Sequence, residues 1–405
     1  MRGAGKITVL TGGLPVLAAW LAGLSGLTEA HRPVIDVLAE VLAVLLVVLA
    51  WRFRRGRLAV AALAIAVANF LIRGPLSAAH AEPGVVALAL VLPVCLALLA
   101  LLPEQPIGRP LMLGLMAGVV ILGWLAFTFS TTTDKAQSPG FLGPLSDLLT
   151  APDLARLVFL IAGAFIALAF AARRGTFEGS LLWVTAAAAL GLLAVPNPHA
   201  STLAFTAAQL VLLLGLVEDS YRLAYHDELT GLAGRRALEE ALPTLVGDYT
   251  IAMVDVDHFK RFNDRHGHGA GDQALRMVAT ELQGVGGGGR AFRYGGEEFA
   301  ILFPGSAAAA ARPSLEEVRA AISGRRFAIR GPDRPRKKPD PPRTKSRASR
   351  TIGVTVSIGL AGPNPQRTTA DAVLRAADRA LYRAKKEGRN RLVAVGDRSG
   401  KTSPD

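Results

Sequence analysis

Between Val9 and Val217 the chain carries eight apolar runs with short, mostly polar breaks between them. They are Val9–Leu27, Val34–Trp51, Leu58–Ile72, Val85–Leu102, Leu111–Phe129, Leu154–Ala172, Leu181–Val195 and Leu203–Val217. A helix needs about 20 mostly apolar residues to cross a bilayer, with some tolerance, and runs of about 15–20 residues fit that length. The third and seventh runs are short. The first is too long for a cleaved signal peptide, and another apolar run begins a few residues after it. With 51% hydrophobic residues in 405, residues 1–220 are expected to form a multi-pass, all-α membrane helix bundle of about eight helices.

Loop charge gives that bundle an orientation. Arg2 and Lys6 precede the first run, and Arg52, Arg54, Arg55 and Arg57 lie between the second and third. Arg109, Arg173, Arg174 and Arg222 continue the same alternate set. The other loops hold Arg32, Arg73, Lys135 and Arg156. The positive-inside bias therefore predicts both termini in the cytoplasm. Asp36, Glu40 and Asn69 are the few polar groups in or near the runs. Scattered as they are, they are expected to snorkel or to hydrogen-bond between helices, not to line an ion path. The single cysteine, Cys95, excludes an internal disulfide framework and a cysteine-based zinc site within one chain.

From about Tyr221 strand-like and helix-like runs alternate. "YTIAMVDVD" (Tyr249–Asp257) reads as a buried strand, and "GDQALRMVATEL" (Gly271–Leu282) as a helix. "SLEEVRAAIS" (Ser314–Ser323) carries a capping-box pattern. "GVTVSIGLA" (Gly353–Ala361) reads as a strand, and the run ending at Gly388 as a helix stopped by glycine. The expectation is a C-terminal α/β domain over residues 221–398, with a mixed sheet flanked by helices. "GVGGGG" (Gly284–Gly289) reads as flexible. The Pro-rich segment Arg325–Arg350 holds eleven basic and two acidic residues, a net of +9 within a chain of net +13. Its part at about 331–350, and a tail at 399–405, are expected to be disordered. That insert suits anionic membrane lipid. Nucleic acid is not expected there, because the stretch lacks aromatics for base stacking.

"RYGGEEFAIL" (Arg293–Leu302) places two glycines and two adjacent acids between β-forming segments. "VDVD" (Val254–Asp257) ends a buried strand in acids, which is costly unless they meet a cation or solvent. Asp255 and Asp257 point the same way while the strand is extended. A hard cation such as Mg²⁺ is usually held by one or two carboxylates plus substrate phosphates. Asp255 and a hairpin glutamate could share one, with the glycines allowing a tight bend and close nucleotide approach.

Taken in order, "DELTGLAGRR" (Asp227–Arg236), "DVDHFKRFNDRHGHGAGDQAL" (Asp255–Leu275), "RYGGEEFAILF", "VTVSIGLA" and "ADRALYRAKKEGRNR" (Ala377–Arg391) resemble the GGDEF-domain diguanylate cyclases, in the GGEEF variant. The resemblance covers nearly all of Asp227–Val395. It implies a fold similar to the palm of nucleotidyl cyclases and an enzyme condensing two GTP into cyclic di-GMP with release of pyrophosphate. It also implies Mg²⁺ (or Mn²⁺) held by Asp255, the carbonyl of Val256 and Glu298, with Glu297 as the catalytic base. Asn263, Asp272 and His268 would meet the guanine, Phe259 and Lys260 would line the pocket, and Lys385 and Arg389 would hold the phosphates. Four residues apart, those two are expected on one side of the last helix. Each site takes one GTP, so a homodimer is implied, set in a bacterial cytoplasmic membrane under control of the helical half. The alternative is a silent membrane receptor for GTP or cyclic di-GMP. Gly234 stands where the family usually has Asn, His258 where an aromatic is common, and Gly286–Gly289 where many members carry an inhibitory product site.

Overall fold

A computed structural model describes residues 4–24, 31–74, 76, 82–132, 152–173, 175–193, 198–328 and 351–396. The chain divides into two compact units, Met1–Tyr221 and Arg222–Asp405. The expected disordered insert at 331–350 and the tail at 399–405 lie outside the described residues, as does Lys135.

The first unit is helical, as expected. Its helices are α1 (Ala4–Leu24), α2 (Arg32–Arg52), α3 (Gly56–Arg73), α4 (Glu82–Leu101), α5 (Pro110–Thr132), α6 (Pro152–Arg173), α7 (Thr176–Leu193) and α8 (Pro198–Tyr225), the last running past the unit boundary. Seven of them, α2 to α8, are long and apolar enough to cross a membrane by length and composition, and Gly12–Ala22 in α1 is a shorter apolar stretch. Two of the short runs of the sequence, α3 and α7, are among the most enclosed. Small residues explain this: Ala59, Ala61, Ala62, Ala64 and Ala68 on α3, and Ala187 and Ala188 on α7, are all buried, and small side chains let helix backbones approach closely. Outside, the same chemistry continues. Val34, Val37, Val41, Val44 and Val48 on α2, and Leu157, Leu160, Phe165 and Leu168 on α6, are exposed.

Charge gathers at helix ends. Arg73 reaches Asp36 at 3.2 Å and Glu40 at 3.2 Å, which is the interhelical pairing expected of those acids. Asn69 departs from that expectation, because its buried side-chain oxygen has no partner among the described residues. A second cluster was not anticipated. Buried Arg57 donates to Glu178 at 2.9 Å and to Glu104 at 3.1 Å, and lies over the Phe177 ring. Arg55 pairs with Asp219, which also accepts from Thr176.

The second unit is built on one mixed sheet, in the order β2 (Arg290–Arg293), β3 (Glu298–Pro304), β1 (Tyr249–Val256), β6 (Val356–Ala361) and β7 (Leu392–Ala394). Strand β1 is central and antiparallel to both β3 and β6, while β6 and β7 run parallel. Every residue of β1 is buried, which is why its sequence is a continuous apolar run and not an alternation. Its Ala252, Val254 and Val256 pack against α11 (His268–Gln283) and α12 (Ala308–Gly324). Ile251 and Met253 pack on the opposite face against α13 (Ala370–Lys386). Two short helices, α9 (Arg235–Ala241) and α10 (Phe259–His266), flank the sheet's connections.

Two expectations are corrected. Helix α12 begins at Ala308, so Ser314 is mid-helix and caps nothing; the alanine run before it, with Ala311 in the core, extends the helix through Pro313. The glycines at 284–289 form a defined turn, not a flexible stretch: Gly287 and Gly288 have positive φ, and a Cβ at Gly289 would lie 2.8 Å from the Phe303 ring. A two-stranded ribbon, β4 (Phe327–Ala328) with β5 (Thr351–Ile352), joins the two edges of the basic insert.

Gly359 in β6 lies directly under α13, where an added Cβ would sit 2.0 Å from the backbone nitrogen of Leu381 and 2.3 Å from the Ala377 carbonyl. Gly359→Ala must push the helix off the sheet, at a cost of about 1–3 kcal/mol or more for overpacking. The expected result is a lower unfolding midpoint for the second unit in denaturant melts; an unchanged midpoint would contradict this packing.

Candidate active site

The sheet brings the acids together. In the β1–β3 register Asp255 stands directly opposite Glu298, and in the β1–β6 register opposite Ser357. Asp255 shares the face of Ile251 and Met253, the α13 side, and Lys385 from α13 reaches its Oδ2 at 2.8 Å. Burial pushes the Asp255 carboxyl above its usual range despite the opposing pull of Lys385, and nearby Asp257 adds to the rise. Glu297 is also raised, first by burial and then by Asp255, with Lys385 opposing. Val256 donates its N–H to the Glu297 carbonyl at 3.2 Å, so the hairpin is stitched to the end of β1.

The hairpin itself is braced by a residue to which sequence reasoning gave no role. Arg293 donates to the carbonyls of Gly295 at 3.1 Å and Gly296 at 2.7 Å, and to Asp227 at 2.7 Å. Burial would raise the Asp227 carboxyl, but hydrogen bonds from Thr230 and Arg293 outweigh it and hold it below its usual range. An arginine directly before a Gly-Gly bend, with an aspartate in a separate motif, was the available signal. Neither Gly295 nor Gly296 takes a positive φ, so the bend does not need glycine for its backbone conformation. A Cβ at Gly295 would press on Glu298 Oε2 at 2.8 Å, while the space beside Gly296 is open. Only Gly295 therefore meets a neighbour, the mobile end of the Glu298 side chain. Arg235 pairs with Glu239 at 2.8 Å and lies over the Tyr294 ring, a packing and salt-bridge role.

A second group sits on the two helices after β1. Phe259 is buried, Lys260 and His268 are exposed, and Asn263 and Asp272 are half-buried. The Asn263 side-chain oxygen is buried with no partner among the described residues. It would lie 1.9 Å from a Cβ at Gly271, so the glycine before Asp272 is what lets α10 and α11 close on each other. His258 is exposed with a left-handed backbone (φ 56°), so it starts α10 and does not pack a pocket. The His266 ring lies 4.9 Å from that of Phe262, tilted at 53° to it.

One expectation about the last helix fails. Helix α13 ends at Lys386, and Arg389 follows it in a left-handed turn (φ 62°), because Gly388 has already broken the helix. Arg389 is nevertheless near enough to Asp255 to favour its ionised form.

Among the described residues no three His, Cys, Asp or Glu side chains converge as a metal cage. Two carboxylates opposite one another, with the Val256 carbonyl at the strand end, are the sparser donor set that a divalent cation uses when substrate phosphates complete its shell. The raised Asp255 and Glu297 carboxyls fit such a site, since each lacks sufficient positive charge nearby.

Residues 224–391 match the family model described as diguanylate cyclase, GGDEF domain. Diguanylate cyclase DgcP of Pseudomonas aeruginosa is 38% identical over 184 residues, 44% of this chain and 25% of that protein. The response regulator PleD of Caulobacter vibrioides is 34% identical over 185 residues, 44% of this chain and 37% of that protein. The solved coiled coil and GGDEF domain of DgcB from Caulobacter crescentus, in complex with c-di-GMP, is 34% identical, with 45% of this chain and 92% of that chain covered and a TM-score of 0.38. This chain thus spans a quarter to about a third of those two relatives' length, and the family match lies inside the second unit.

The raised Glu297 carboxyl gives a stability signature. A folded state that holds its proton more tightly than the unfolded chain loses stability as pH rises through the ordinary carboxylate range toward the raised value. Glu297→Gln should therefore raise the unfolding midpoint at neutral pH. The gain should vanish below the ordinary carboxylate range, where both forms are neutral. A gain independent of pH would refute the shift.

Proposed function

We propose that the chain is a membrane-embedded diguanylate cyclase. The observation that carries this reading is the pairing of Asp255 with Glu298 across adjacent strands, with Glu297 beside them and Lys385 and Arg389 supplying positive charge. The family match over residues 224–391 supports it.

In this reading the 3′-hydroxyl of one GTP attacks the α-phosphorus of another, the new phosphodiester forms, and pyrophosphate leaves. Two such steps close cyclic di-GMP. Glu297 takes the 3′-hydroxyl proton; a raised pKa brings a carboxylate nearer to working pH, where a base is most effective. Asp255, Glu298 and the Val256 carbonyl would hold Mg²⁺ or Mn²⁺, which supplies charge neutralisation and orientation of the reacting oxygens. Lys385 and Arg389 offset phosphate charge. The orphaned Asn263 oxygen is an acceptor suited to the N–H edge of guanine, with Asp272 and His268 close in sequence. Phe259 and Lys260 form the adjacent wall. Each site holds one GTP, so two copies of the chain must face each other. The silent-receptor reading has no observation in its favour, since both hairpin acids and both cations are present.

The exposed apolar faces of α2, α5 and α6 support insertion, because water would penalise such surface and lipid does not. The arginine-rich helix ends would then face the cytoplasm, and the helical half would control the cyclase.

Purified full chain with GTP and Mg²⁺ should yield cyclic di-GMP. Asp255→Ala should abolish turnover. Glu297→Gln should lower it by about 10²–10⁴-fold, the usual worth of a general base, while keeping most GTP binding. Undiminished turnover in either variant would sink the assigned roles. Reporter fusions after Arg222 should read as cytoplasmic and those near Lys135 as external; the reverse pattern would overturn the orientation.

A further inference from the structure

Asp257 is buried at the exit of β1, yet none of the steps above uses it. Its carboxylate is saturated. Oδ1 accepts from the Ser357 hydroxyl at 2.6 Å, and Oδ2 accepts from the Thr355 hydroxyl at 2.6 Å and from the backbone N–H of Asn390 at 3.0 Å. Its own N–H donates to the Thr355 carbonyl at 2.9 Å. The last side-chain bond is the informative one, since it crosses to the turn that follows α13. There Gly388, Arg389 and Asn390 have φ of 116°, 62° and 44°. Two successive non-glycine residues in the left-handed region are sterically disfavoured and persist only where the surroundings hold them. Arg319 on α12 grips the same turn from another side, donating to the Asn390 carbonyl at 3.1 Å and to its Oδ1 at 2.7 Å. The Arg389 N–H donates to the Ala384 carbonyl at 3.0 Å.

We propose that Asp257 is a positioning residue for the phosphate end of the nucleotide: with Arg319 it clamps the left-handed turn that presents Arg389 beside the Asp255–Lys385 pair. This rests on the nucleotide reading above and adds to it a function for an acid that would otherwise be a strand-end cap. The strained turn explains how Arg389, which lies beyond the end of α13, is still brought to the site. A relaxed turn would swing the guanidinium away while leaving the base-binding helices α10 and α11 untouched.

The test uses the full chain in detergent and two probes: guanosine 5′-(α,β-methylene)triphosphate, which cannot be turned over, and guanosine, which lacks phosphates. Asp257→Ala should weaken the triphosphate by about tenfold, the scale of one lost charge-assisted contact, and leave guanosine within about twofold. Asp257→Asn keeps an acceptor for the Asn390 N–H, because the Ser357 hydroxyl can turn to accept from the new amide; it should stay within about threefold of wild type. In an Arg389→Ala background Asp257→Ala should add less than about twofold, since the two act through one contact. Arg319→Ala probes the clamp without disturbing the buried cluster and should lower triphosphate affinity selectively. Equal loss of both probes, full additivity with Arg389→Ala, an Asp257→Asn as weak as Asp257→Ala, or no effect of Arg319→Ala would each overturn the clamp. If the wild-type chain binds neither probe, the nucleotide reading itself fails, which is a separate result.

Discussion

Two carboxylates forced to face each other at the buried end of a sheet set the terms for the second unit. Asp255 and Glu298 are opposed because β1 and β3 are antiparallel in one fixed register. A one-residue slip would turn every side chain of β3 to the other face. Phe299, Ile301 and Phe303 would then leave the core they share with α11 and α12, so hydrophobic burial locks the acids in place. Burial of Asp255, with Asp257 nearby, makes its ionised form costly. Lys385 offsets part of that cost, while burial still holds the Asp255 and Glu297 carboxyls above their usual range. In the proposed reading, a divalent cation brought in with the substrate phosphates would supply the rest.

Around that pair, charged side chains hold backbone. Arg293 ties the Gly-Gly bend to Asp227, far earlier in the chain. Asp257 and Arg319 hold the turn after α13. Both devices use a charge-assisted hydrogen bond to fix a loop without apolar packing, which in the proposed reading leaves the loop open to the nucleotide. The rigid elements thus carry the acids, and braced loops carry the groups that meet them.

The helical unit solves a different problem with inverted materials. Alanine-rich α3 and α7 fill the interior, and large aliphatic side chains of α2 and α6 point outward. In lipid, as proposed above, hydrophobic burial from water would not hold such a bundle together, and close packing of small residues and polar contacts at helix ends would take its place. Arg57, held between Glu104 and Glu178 with its cation over Phe177, is the most enclosed of these contacts. Arg55 and Thr176 both engage Asp219 on α8, the helix that leads out of the unit.

Sequence alone determined a great deal. Apolar runs of spanning length can hardly be anything but helices, and strand β1, the mixed sheet and the quoted motifs are local patterns whose period and order survive folding. The acids at the end of β1 and in the hairpin were legible for the same reason: charge at a buried strand end is costly and therefore conspicuous. What the tertiary structure decided depends on contacts between segments remote in the chain. The capping-box pattern at Ser314 was overridden because Ala311 finds a core to fill, so the helix starts earlier. Helical spacing predicted Lys385 and Arg389 on one helix face, but a left-handed turn, stabilised by Asp257 more than a hundred residues away, carries Arg389 instead. The glycines of the bend were expected to allow a tight turn and close nucleotide approach, yet neither takes a positive φ and the space beside Gly296 is open. Local spacing records what a segment can do by itself; which of two locally acceptable conformations it takes is settled by the hydrogen-bond partner that only the fold supplies.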